Sequence, residues 1–185
     1  MSTSSSLEAI NRMYADYQEN YKLLFECGQI SIANDYKSQY SKIMLLSAAS
    51  YFESKVIRIV TGFLNADSCP VIGAFLEKKA LKRQYHTLFN WDQQNANQFF
   101  GIFGEEFKNF VKAKIDRDVG LKNSIEDFMI LGTFRNKLVH DNYATFSLPL
   151  TAEDVKSKFD SADKFVNNID SLVAEFRARD SGSQI

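Results

Sequence analysis

The sequence predicts an all-α domain, a bundle of four to five main helices, on three observations. Only 2 Pro and 8 Gly occur in 185 residues, too few to punctuate the short strands of a sandwich or barrel. Apolar residues recur at spacings of three and four along most of the chain, the period of a helix with one buried face. Hydrophobic residues make up 45% of the chain, which suffices to bury one core without disulfides or metals. The expected organisation is a single domain over residues 7–179, between a Ser-rich disordered start at 1–6 and a flexible tail at 180–185.

The first helix is expected from Leu7 to about Cys27, with Leu7, Ile10, Tyr17, Tyr21 and Leu24 on one aromatic-rich face. Asn34 or Asp35 caps the second, which runs to about Val60, turns Tyr36, Tyr40, Ile43, Leu46 and Ser50 inward, and stops before Gly62. Its middle, Met44 to Phe52, is apolar or small on nearly every side, so it belongs at the centre of the bundle. After the Cys69-Pro70 turn, residues 71–79 and 81–88 read as shorter helical pieces, and Asn90 to Asn97 as a polar loop. Phe99 to Gly104 reads as a tight aromatic connection packed on the core. Glu105 to about Asp118 is amphipathic and stopped by Gly120; Ser124 caps the next helix, which reaches about Asp141. Thr151-Ala-Glu-Asp154 forms a capping box for a last helix whose stripe includes Val155, Phe159, Ala162, Ile169 and Phe176.

Composition also narrows function. The formal net charge is −1, so no global positive field attracts nucleic acid, and any RNA contact is local. Two isolated cysteines, two histidines and no clustered carboxylates predict neither a disulfide framework nor a metal site. No apolar run approaches the roughly 20 residues that span a bilayer, and the start lacks the pattern of a secretory signal, so a cytoplasmic protein without a membrane partner is expected.

The chemistry concentrates in Arg135-Asn136-Lys137-Leu138-Val139-His140. At about 100° per residue, Leu131, Phe134 and Leu138 share one stripe while Asn136 and His140 lie one turn apart on nearly the opposite side. Arg135 sits between the two sectors, where its long stem lets the guanidinium lean to the open side. Gly132, one turn before, costs helix propensity and marks a close approach, either at a packed seam between copies or in a crowded core. Glu53, within an apolar helix, requires a partner or an open edge; it either orients Arg135 or pairs with another basic group such as Lys55.

An arginine, a polar residue, three further residues and a histidine on the penultimate helix of a bundle resemble the signature of the HEPN superfamily. The resemblance includes Leu45 to Lys55, Tyr85 to Trp91 and Phe134 to Tyr143, and covers roughly residues 35 to 176. It implies an HEPN-like helical bundle, a homodimer in which two copies of the motif helix face each other, and RNA cleavage without a metal ion or other cofactor. Carried over by position, Arg135 and His140 match the catalytic pair and Asn136 the polar residue after the arginine. Antitoxin-regulated members place a modifiable tyrosine two residues after the histidine; here Tyr143 comes three after, so it is a candidate only for support or regulation.

The residues suit that chemistry. RNA supplies its own nucleophile, the 2′-OH, so the protein needs a proton-transfer group and a cation for the phosphorane-like transition state. Imidazole exchanges protons near neutral pH, and guanidinium matches phosphate oxygens. One motif offers one imidazole, and a two-fold dimer supplies a second. Lys78, Lys79, Lys82 and Arg83 are candidates for guiding the RNA backbone, whereas His86, between Tyr85 and Leu88, reads as a packed or surface residue. The expected function is a toxin-like or antiviral-defence endoribonuclease, with an antitoxin or other neutralising protein as a possible partner. The alternative is a non-catalytic HEPN module that binds RNA or a partner protein.

Overall fold

The computed structural model describes residues 3–65, 71, 74, 78, 81 and 84–182. Among the described residues six α-helices follow in order: α1 (Thr3–Glu26), α2 (Ile30–Asn65), α3 (Asn97–Ile102), α4 (Glu105–Ile115), α5 (Val119–His140) and α6 (Ala152–Gly182), with a 3-10 turn at Tyr85–Thr87. Among the described residues there is no strand. α1 begins inside the stretch 1–6 and α6 runs into the stretch 180–185, both expected to be unstructured.

α2 is the longest helix, and α1, α5 and α6 all pack on it. This is the central place that its apolar middle predicts. Its inward face differs from the expected one: Ile43 and Ser50 are exposed, while Met44, Leu45, Ala48 and Phe52 are buried. A helix apolar on most sides gives periodicity no contrast from which to choose a face. At the centre Phe52 meets Phe159 at 5.1 Å and Phe128 at 5.5 Å between ring centroids, and Phe128 meets Phe165 at 5.4 Å. Each such ring contributes about 1.5–3 kcal/mol of burial.

Three boundaries differ from the sequence reading. Gly28, at φ 72°, takes the left-handed conformation that ends α1, and the Gln29 amide donates to the Leu24 carbonyl at 3.0 Å. This one-glycine turn lets α2 restart at Ile30, before the Asn34 or Asp35 expected to cap it. Gly62 lies within α2, with open space where a side chain would stand. Asp118, not Ser124, caps α5: its carboxylate accepts from the Leu121 amide at 3.0 Å, which places Gly120 in the first turn of this helix. Ser124 is buried one turn on and donates to the Leu121 carbonyl at 2.8 Å.

The capping box at α6 forms as the sequence predicts, with aspartate in the reciprocal position. The Asp154 amide donates to Thr151 Oγ1 at 3.1 Å, and the Thr151 amide donates to Asp154 Oδ2 at 2.9 Å. A buried polar knot ties α2 to α6: Lys55 Nζ lies 2.5 Å from Asp163 Oδ1, and the Tyr51 hydroxyl donates to the same oxygen at 2.9 Å. Burial first, then the bond to Asp163, holds the Tyr51 phenol protonated well above its ordinary range.

Candidate functional site

The last turns of α5 form one wall of an open groove. Leu131 and Leu138 face the core, 1% exposed each, and Asn136 and His140 line the groove on the other side, as their spacing predicts, with Arg135 and Val139 beside them. Glu53 of α2 and the segment Tyr85, His86 and Trp91 complete the lining of a groove of about 410 Å³. Beneath it a narrow recess continues inward among Ala49, Phe52, Phe128 and Gly132. Arg135 and Asn136 are half-buried and His140 is exposed at the helix end. The guanidinium is set by its neighbour, since Arg135 Nη1 donates to Asn136 Oδ1 at 3.1 Å.

The far wall is a loop held by its own tryptophan. Trp91 Nε1 donates to the His86 carbonyl at 2.8 Å, closing the loop on itself. Thr133 Oγ1 lies 2.5 Å from the Trp91 carbonyl and 2.8 Å from that of Met129, so it serves one or the other and ties the loop to α5. The indole ring lies against Gly132, where a Cβ would overlap three of its carbons. The close approach expected at Gly132 is therefore made by the Trp91 ring within the same chain. Behind it Phe89 stacks on Phe99 at 4.8 Å and fixes the loop to the core.

Tyr85 shares the groove lining with two opposite charges, Glu53 and Arg135. Burial raises its phenol well above the ordinary range, Glu53 raises it further, and Arg135 opposes them. The hydroxyl is thus a neutral group at neutral pH, with a carboxylate and a guanidinium beside it. Glu53 is half-buried on the lining and forms no ion pair or hydrogen bond among the described residues.

The exit from α5 is anchored from a distance. Lys42, buried on α2, donates to the Tyr143 carbonyl at 2.9 Å, and its ammonium lies 5.0 Å from the centre of the Tyr143 ring. Asn142 closes the following turn, its side chain accepting from the Ala144 amide at 3.0 Å.

Arg135, Asn136, His140 and Glu53 thus line one groove, and Tyr143 lies beyond its end. His86, read from sequence as packed or surface, lines the groove as well; the one sequence signal was its place between Tyr85 and Trp91. Lys78 is exposed, while Lys79, Lys82 and Arg83 lie outside the described residues. Among the described residues no group of three or more His, Cys, Asp or Glu side chains could hold a metal ion, and no helix is long and apolar enough to cross a membrane.

The fold and groove define an all-α bundle that presents an arginine and a histidine five residues apart on its penultimate helix. The family model RiboL-PSP-HEPN matches residues 15–175, so the chain belongs to this HEPN family. Neither a curated protein nor a solved structure matches the chain significantly.

Proposed function

We propose that the chain is an endoribonuclease of HEPN type, a toxin or antiviral-defence component, that cleaves RNA in the groove of Arg135, Asn136 and His140 and works as a homodimer. The observation that carries this reading is that a fixed guanidinium and an exposed imidazole share one open groove walled by aromatic rings. In the reaction the RNA 2′-oxygen attacks the adjacent phosphorus and the bond from phosphorus to the 5′-oxygen breaks. One proton leaves the 2′-OH for a base and another reaches the departing 5′-oxygen from an acid, leaving a 2′,3′-cyclic phosphate and a 5′-OH. Arg135 neutralises charge on the non-bridging oxygens, and His140 transfers a proton. Asn136 accepts from Arg135 and keeps its fork oriented.

Support for the dimer comes from the surface around the motif. Val139 is 53% exposed, Ile43 42% and Tyr143 39%. These side chains lie on α2, on α5 and just past the end of α5. A two-fold assembly there would bring a second His140 to the groove. The placement of His86 favours a second source for the same proton, because that imidazole already lines the groove of its own protomer.

The test is cleavage of structured RNA by the purified protein in EDTA. His140→Ala is expected to lower the rate by about 10²–10⁴ while helicity is unchanged, and equal rates for the two proteins would refute the assignment. His86→Ala separates the sources of the second proton: a loss of about 10²-fold or more assigns it to His86, and a rate near that of the wild type assigns it to the dimer.

A further inference from the structure

The groove is longer than a phosphate site requires. Gly132, which touches Trp91, and His140 are eight residues apart on α5, or about 12 Å along the axis. That is about the length of one nucleotide. With a phosphate held between Arg135 and His140, the nucleoside attached to it reaches toward Trp91, Tyr85 and Glu53.

That end has the features of a base-recognition site. The rings of Tyr85 and Trp91 stand 6.0 Å apart at 51° and line the groove. Trp91 is held rigidly by its indole bond to the His86 carbonyl and by its seat on Gly132. Aromatic faces stack on any base, contributing about 1–3 kcal/mol each without choosing among them. The choice falls to the polar groups at the same end. The Glu53 carboxylate offers two acceptor oxygens and no donor, while the Tyr85 hydroxyl offers a donor. Guanine alone places two adjacent N–H donors, N1–H and N2–H, beside a carbonyl acceptor on its Watson–Crick edge. Adenine and cytosine set a ring-nitrogen acceptor next to a single amino group, and uracil flanks its one N–H with two carbonyls. A carboxylate repels those acceptors.

We propose that the end of the groove formed by Glu53, Tyr85 and Trp91 selects guanine; in a nuclease working at this groove, that selection places the cut beside a guanosine. This rests on the groove being the RNA-cleaving site, and it is testable without cleavage. Trp91 is the only tryptophan in the chain, so its fluorescence reports directly on this end. Titration with guanosine 3′-monophosphate is expected to quench Trp91 with a Kd at least about tenfold below those of the adenosine, cytidine and uridine nucleotides, as a bidentate base contact provides. Inosine 3′-monophosphate, which lacks only the N2 amino group, is expected to lose most of that advantage, a comparison that requires no variant. Glu53→Gln, checked for unchanged helicity, is expected to bring the four affinities within a few-fold of one another. Equal binding of all four nucleotides, binding of none, or a guanine preference that survives both changes would overturn the proposal. Selective guanine binding by a protein that does not cut RNA would uphold this inference while refuting the nuclease reading. Cleavage with no preference for guanosine would do the reverse.

Discussion

Replacing Gly132 by alanine tests how the groove wall is built. A Cβ at this position would overlap the six-membered ring of Trp91 at three carbons, so the ring moves or α5 shifts. Overpacking of this kind costs about 1–3 kcal/mol. The displaced indole also gives up its bond to the His86 carbonyl, worth about 0.5–1.5 kcal/mol. Against this, alanine recovers about 1 kcal/mol of helix propensity over glycine. The balance is a net loss of roughly 0.5–3.5 kcal/mol by these figures. At about 2–4 °C per kcal/mol for a chain of this size, the melting temperature falls by roughly 1–14 °C. Thermal unfolding followed by circular dichroism measures the loss, and the emission of the single tryptophan is expected to move to longer wavelength as the ring leaves its seat. A variant that melts at or above the wild-type temperature with unchanged emission would refute the contact, because the propensity gain would then stand unopposed.

Two further perturbations probe the scaffold. Bonds from the Thr151 amide first, and then from its hydroxyl, hold the Asp154 carboxyl below its ordinary value. A carboxyl lowered on folding stabilises the protein above its unfolded value, about 3.9, and that contribution disappears as the pH falls through the lower folded value. Thr151→Val removes the hydroxyl bond and keeps that of the amide, so it is expected to reduce, without abolishing, the loss of stability as the pH falls below about 4; an unchanged acid limb in urea unfolding would contradict it. Lys55 and Asp163 are 8% and 14% exposed in their side chains. Asp163→Ala, which strands the ammonium and the Tyr51 hydroxyl, is expected to cost about 3–5 kcal/mol, and Lys55→Met with Asp163→Leu much less than the sum of the single changes. Additive costs in a double-mutant cycle would show that the two groups do not depend on each other.

Features of the site carried by a single helix were legible in the sequence, because helical period converts spacing directly into direction. Leu131 and Leu138 inward with Asn136 and His140 outward, and the box of Thr151 and Asp154, are of this kind. What depended on contacts between distant segments was not legible. His86 joins the groove only because Trp91 folds its loop back and then rests on Gly132, a contact whose two halves lie far apart in the chain. The face of α2 was misread for another reason: with apolar residues on most sides, only its neighbours decide that Met44 is buried and Ile43 is not. The Gly28 turn shifted the start of α2 because a backbone conformation, rather than a capping side chain, set the boundary.

The bond from Lys42 to the Tyr143 carbonyl joins residues 101 positions apart. The end of the motif helix is thereby positioned from α2, not only by its own sequence. A peptide spanning α5 and its exit would keep every residue of the motif and none of the framework that aims it. Transplanting this groove to another scaffold would therefore require moving α2 and the tryptophan loop along with it.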